Sequence, residues 1–370
     1  MNYCKLCLYP DTKPDLTFDA EGVCSACRAY EARKSINWED RKASWEHLVT
    51  TTNLKGESDY DCIIPVSGGK DSFYQTLKAL DYGLKPLLVN ARTCDLSDIG
   101  RSNLDALSEV GADLLEVVPN QSLRRRINRY TLETIADISW PEHVLIFTVP
   151  VTVAIEKKIP LILWGENPQN EYGGPKEWQD KSDLVPNRWL QEFGGLNGLR
   201  LSDVCEALDL CYGDMSHYRY PTDTSGVMQK FLGYYFPWDG IENAKLAAQH
   251  GFDTPIQPVQ THGFDYENLD NYQTGIHDYF KYLKYGFGRA SDICSNRIRR
   301  GVMTRREAVE HCKIWDGRSP VTYLGQSLDE TLEKIEMPMA DFKLTCNRFA
   351  NKELFECSQR SWPRPKFEVE

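Results

Sequence analysis

The run VSGGKDS at residues 66–72 directly follows the apolar stretch CIIP. It directly precedes FYQTLKALDYG, in which apolar residues recur at helical spacing. The expected unit is a short buried strand, a glycine turn and a helix. Such a turn gathers backbone N–H groups at a helix N-terminus, where the dipole favours an anion. Gly68 and Gly69 allow close backbone approach, Lys70 adds positive charge, and Ser67 and Ser72 add hydroxyl donors. The run lacks the spacer that separates the first glycine from the Gly-Lys pair in the common nucleoside-triphosphatase loop. Asp71 is the unusual member. A carboxylate beside phosphates is reasonable where Mg²⁺ bridges the two.

The pattern around this loop predicts an α/β fold with a parallel sheet and helices on both faces. CIIPV, KPLLVNA, ADLLEVVP and IPLILWGEN are the expected strands. Helical stretches alternate with them, including 122–137 and 142–157. Sites in such sheets form outside the carboxyl ends of the strands. That rule puts SGGKDS, NARTCD and WGENPQNEYGG on one rim. The stretch 168–240 has no regular period and is rich in Gly, Trp and Tyr, so long loops are expected there. A helix is expected over 239–251, and the rest of the chain is expected to be mainly helical. Three parts follow: residues 1–50 as a metal ribbon with a connecting helix, 51–240 as the loop-bearing domain, and 241–370 as the helical region.

The ribbon expectation rests on cysteines. Cys4 and Cys7 form one C-x-x-C pair, Cys24 and Cys27 another, with 16 residues between the pairs. Two thiolate knuckles at this spacing supply the closed tetrahedral set of structural Zn²⁺. Four thiolates leave no open position for catalysis, and so short a segment needs the metal to fold.

Composition narrows the function classes. The 370 residues carry a formal net charge of -11, which argues against broad docking on nucleic-acid backbones. The most apolar run, HVLIFTVPVTVAI (143–155), is too short to span a bilayer and contains Pro150. With no apolar leader after Met1, a cytoplasmic protein is expected. Its 12 cysteines are then metal ligands, thiol catalysts or small buried residues.

SGGKDS resembles the pyrophosphate (PP) loop of the ATP pyrophosphatase superfamily, whose fold is adenine nucleotide alpha hydrolase-like. The cysteine front, NARTCD, WGENPQNEYGG, YYFPWDGIENAKLA and GIHDYFKYLKYGFGRASD follow in order. Together with the loop they resemble the N-acetyl sugar amidotransferases of bacterial surface-glycan synthesis, over nearly the whole chain. The resemblance implies that ATP places AMP on a sugar acetamido oxygen. Ammonia then displaces AMP, giving an acetamidino group on sugars of O-antigen or flagellin glycans. It also implies ammonia from a separate glutaminase working with a cyclase-like partner. The chain itself shows no nucleophilic cysteine in a glycine elbow with His and Glu partners.

On this resemblance Ser67, Gly68, Gly69, Lys70, Asp71 and Ser72 hold ATP, while Asn90 and Arg92 border the adenosine. Asp71 and Glu166 hold Mg²⁺. Asn167, Gln169, Asn170, Glu171, Tyr172 and His277 face the nucleotide-linked or related N-acetyl sugar. Lys284 and Arg289 meet pyrophosphate or the acceptor's phosphates, and no general base stands out. A rival resemblance is to the tRNA thiolases, which join zinc-binding cysteines to the same loop. They would recruit Cys94, Cys211 or Cys294 for sulfur chemistry. The acidic charge and the shortness of LRRRINR (123–129), which is expected to be a helix face, weigh against RNA.

Overall fold

The computed structural model describes residues 1–51, 58–172, 180–181, 195–358 and 361–369, without the side chains of Gln169 and Asn170. Five strands form one sheet: β1 (Cys62–Pro65), β2 (Pro86–Ala91), β3 (Asp113–Val117), β4 (Leu161–Trp164) and β5 (Met228–Phe231). Their order is β3-β2-β1-β4-β5, and every neighbouring pair is parallel. Parallel strands need covering on both faces, and the alternation of side chains shows that cover. Ile63, Leu87, Val89 and Ile162 point into a core shared with the helices Gln121–Ile135 and Trp140–Glu156. Cys62, Ile64, Leu88, Leu161 and Leu163 point into the opposite core, under Phe73, Leu104 and Ala247.

Strands β1 to β4 lie in the expected segments, but β5 falls inside the stretch that lacks a sequence period. It is only 4 residues long, and at the sheet edge it alternates half-buried and buried side chains. So short a run cannot be recognised by periodicity. Of that irregular stretch, residues 173–179 and 182–194 lie outside the described residues. The expected single connecting helix is two, Ser25–Arg33 and Trp38–Thr51. Trp45 is wholly buried against the rings of Tyr235, Tyr82 and Phe236, with centroids at 5.4, 5.7 and 5.7 Å. This contact fixes the second helix onto the sheet layer. The apolar run 143–155 is a core helix with Pro150 inside it. Among the described residues no helix is long and apolar enough to cross a membrane.

LRRRINR lies on the helix Gln121–Ile135 as expected, but one of its arginines faces the core. Arg124 is fully buried and pairs with buried Glu142 at 2.9 Å, while Asn128 donates to the second Glu142 oxygen at 3.1 Å. Breaking one partner of a buried pair leaves an uncompensated charge. Arg124→Ala is therefore expected to cost about 3–5 kcal/mol in denaturant unfolding. The double change Arg124→Met with Glu142→Leu is expected to cost clearly less. Equal costs would show that packing, not the stranded charge, sets the loss.

The C-terminal region is mainly helical as expected, and includes Thr274–Tyr285, Arg305–Trp315 and Leu328–Lys334. Two further helices, Arg289–Arg299 and Met339–Phe349, escape periodicity. The first buries Ser291, Asp292 and Ser295 alongside Ala290 and Cys294, so its inner face is partly polar. The cysteine ribbon docks on it: Leu8 packs with Ala290 and Cys294, and the Leu8 N–H donates to Ser295 Oγ at 3.3 Å.

Candidate functional site

The strand order reverses between β1 and β4, which opens a crevice at their carboxyl ends. Ser67–Gly69 leave β1 there, and Gly165–Asn167 leave β4 beside them. Gly68 has φ +86°, and a Cβ on it would lie 3.1 Å from the Leu104 backbone nitrogen. Only glycine suits both conditions. The Ser67 N–H donates to Ser72 Oγ at 3.1 Å, and the Gly69 N–H donates to Ser67 Oγ at 3.3 Å. These bonds hold the loop curled over the first turn of the helix Lys70–Asp81, where the Ser72 N–H already donates to the Gly69 carbonyl at 2.9 Å.

Lys70 is only 5% exposed, so its charge must be met locally. Asp71 meets it at 2.8 Å and Glu267 at 2.9 Å. The other Asp71 oxygen accepts from Asn243 at 2.8 Å. Glu166 completes an acidic group around this lysine. Lys70, Asp71, Glu166, Tyr172, Glu267 and Arg289 all line one cavity of about 530 Å³. A basic loop and three converging carboxylates suit phosphates bridged by a divalent cation. Asp71, Glu166 and Glu267 are the residues able to hold it.

The remaining anticipated residues divide. Asn90 is buried and donates to the Val66 carbonyl at 2.7 Å, bracing the loop from below. Arg92 follows β2 and does not line this cavity; its carbonyl accepts from Arg124, and among the described residues no carboxylate pairs with it. Asn167 is buried. Glu171 is buried and clamped by Arg33 and by Arg300, the latter at 3.1 Å, so its carboxylate ties the first helix to the C-terminal region. Gln169 and Asn170 lie in the helix Pro168–Tyr172, with side chains outside the described set. Tyr172 remains at the rim, where Glu166 and burial raise its phenol.

His277 and Lys284 line a second cavity of about 360 Å³, which shares Pro168, Tyr172 and Arg289 with the first. Asp137 joins two histidines there: His277 Nδ1 lies 3.0 Å from one oxygen and His143 Nδ1 lies 3.6 Å from the other. Burial opposes ionisation of Asp137, but His277 and His143 hold its carboxyl well below the usual range. Burial likewise opposes the His143 cation, and Asp137 outweighs it to raise the imidazole. His143 also lines the larger cavity. Glu267, Asp137 and His143 lie in no motif, and Asn243 lies in YYFPWDGIENAKLA without a role assigned to it. Each comes from a segment remote in sequence from the loop.

Burial pushes the Glu166 carboxyl from 4.5 up to about 8, with repulsion from Asp71 and Glu171 added and Lys70 opposing. The folded state therefore keeps a proton that the unfolded chain releases. That stabilisation is complete below the unfolded value and is lost as pH rises through the folded value. In the absence of ligands Glu166→Gln is expected to melt with the parent near pH 5 and about a few degrees above it near pH 9. Parallel melting curves across that range would remove Glu166 as the titrating group.

At the ribbon, the four sulfur atoms of Cys4, Cys7, Cys24 and Cys27 lie within 4.8 Å of one another and all four residues are buried. N–H groups of Leu6 and Cys24 approach Cys4 Sγ at 3.4 and 3.3 Å. An all-thiol set with N–H donors onto sulfur fits structural Zn²⁺.

Fold and site together define a doubly wound α/β protein with a glycine-rich loop at its topological switch point. Residues 262–366 match the family model described as LPS biosynthesis protein WbpG-like, C-terminal domain. Glu267, His277, Lys284 and Arg289 all lie in the matched segment. Among solved structures the chain is similar to NMN synthetase from Francisella tularensis, at 12% identity and a TM-score of 0.30. That likeness covers 60% of this chain and 99% of the other. No curated protein matches.

Proposed function

We propose that this chain is an ATP-dependent amidotransferase of lipopolysaccharide or related surface-glycan synthesis, converting a sugar acetamido group to an acetamidino group. The observation that carries this reading is the meeting of Lys70, Asp71, Glu166 and Glu267 with Arg289 in one cavity at the switch point. The acetamido oxygen attacks the α-phosphorus of ATP, and the bond to the β-phosphate breaks. Loop N–H groups and Lys70 receive the pyrophosphate charge as it develops. Mg²⁺ held by Asp71, Glu166 and Glu267 would supply further neutralisation. Ammonia then adds to the imidate carbon, the C–O bond to AMP breaks, and a proton is shed. His143, with Nδ1 turned to Asp137, is placed to take that proton from the cavity side.

A sulfur-transfer reading needs a reactive thiol near the loop. Burial pushes the Cys94 thiol up to about 12, which opposes thiolate formation. Cys294 is buried under Leu8 and Cys312, and Cys211 is exposed outside the cavity. In this proposal the chain is cytoplasmic and its ribbon holds Zn²⁺. Ammonia comes from a glutaminase acting with a cyclase-like partner.

The test is to incubate the purified chain with ATP, Mg²⁺, ammonium and a panel of nucleotide-linked N-acetyl sugars. The expected outcome is a product with NH in place of the acetamido oxygen, formed together with AMP. Release of ADP, or use of glutamine by the chain alone, would contradict the proposal.

A further inference from the structure

The second cavity is walled on one side by the cysteine ribbon. Lys13 lies between the two knuckles in sequence and lines this cavity together with Lys284 from the helix Thr274–Tyr285. Three carboxylates line the cavity; Asp15 is exposed and lies beyond ion-pair distance of the lysines, and the two others are committed elsewhere. Asp137 is held by His277 and His143, and Asp292 is held by Lys281 with Arg289 at 3.8 Å. Among the described residues no carboxylate lies within ion-pair distance of Lys13, and Lys284 donates only to the Ile135 carbonyl, at 2.8 Å. Burial draws both lysines' pKa values down, as it does for ammonium groups short of a counter-ion. Tyr285 and Phe287 add aromatic walls on which a sugar or base can lie. A volume of about 360 Å³ falls in the range of small-ligand sites.

We propose that this cavity binds the phosphate-bearing part of the acceptor, with Lys13 of the ribbon and Lys284 as its anion contacts. The inference rests on the amidotransferase reading for the identity of the acceptor as a nucleotide-linked sugar. Its position follows from continuity. Tyr172 and Arg289 belong to both cavities, so a ligand anchored at the lysines extends its sugar toward Lys70 and Glu166. The surplus of ammonium groups opposes an inlet for ammonium ions, because like charges repel there. The ribbon then contributes directly to substrate binding, and the Thr12 hydroxyl, which donates to the Tyr285 carbonyl, keeps it in place.

The test is calorimetric titration of the full chain, without ATP, using UDP-N-acetylglucosamine and CMP-N-acetylneuraminate as probes. The parent is expected to bind at least one probe. Lys13→Ala and Lys284→Ala are each expected to weaken that binding by about tenfold or more, the loss of one charge-assisted contact. Lys13→Arg is expected to retain most of the affinity. Mg·ATP binding and melting temperature are expected to stay at parent values in Lys13→Ala. Parent-like probe binding in both alanine variants overturns the proposal, as does a parallel loss of Mg·ATP binding or a parent that binds neither probe. Lysine-dependent probe binding without AMP formation would uphold the cavity and reject the amidotransferase reading instead.

Discussion

Asp71→Asn is expected to lower the rate of AMP formation by about 10²–10³-fold, the usual loss on removing one preorganised electrostatic group. The change keeps the shape of the side chain. What it removes is the charge that faces Lys70 at 2.8 Å and, in the proposed reaction, the Mg²⁺ that neutralises pyrophosphate. Lys70 keeps Glu267 at 2.9 Å, so the buried ammonium is not stranded and the fold is expected to survive. The measurement is single-turnover AMP release at saturating Mg·ATP, with melting temperature as the control. A parent-like rate would reduce Asp71 to a structural partner of Asn243. Lys70→Ala is the harsher contrast. It leaves Asp71, Glu166 and Glu267 facing one another without their cation, so activity and stability are both expected to fall.

Loss of the ribbon metal is the second large expected effect. Cys7→Ser, or removal of metal by a strong chelator, is expected to lower the melting temperature by on the order of 10 °C, because structural Zn²⁺ binding is folding free energy. Ribbon unfolding withdraws Leu8 from Ala290 and Cys294 and uncovers Phe287, so the damage reaches the C-terminal helices. Cys211→Ser, at an exposed position, is the control and is expected to leave melting unchanged. Metal analysis is expected to find one Zn²⁺ per chain. A stable metal-free chain, or one that carries iron with visible absorption, would reject the zinc assignment.

How much of this was legible in the sequence depends on whether each feature is local. The loop could be read because its chemistry lies in consecutive residues: Gly68 permits the positive φ, and Lys70 and Asp71 stand at the helix start. Strands β1, β2 and β4 could be read because burial on both faces makes them continuous apolar runs, and β3, half-buried at the sheet edge, could be read from its own apolar run ADLLEVVP. β5 could not, since an edge strand of 4 residues carries too little pattern. The burial of Arg124 could not be read, because nothing in LRRRINR reveals that Glu142 waits in the core. The clamp on Glu171 could not be read, because Arg33 and Arg300 come from both ends of the chain.

The sequence by itself determined the glycine loop at the helix start, the strand–helix alternation and the four-thiol cluster, since each follows from short spacings and the stereochemistry of a few adjacent residues. Only the tertiary structure decided that Glu267 and Asn243 meet the loop, that Asp137 joins His143 to His277, and that Lys13 of the ribbon lines a cavity continuous with the loop's own. Those meetings depend on which segments the switch in strand order and the docking of the C-terminal helices bring together. Spacing along the chain carries no record of that.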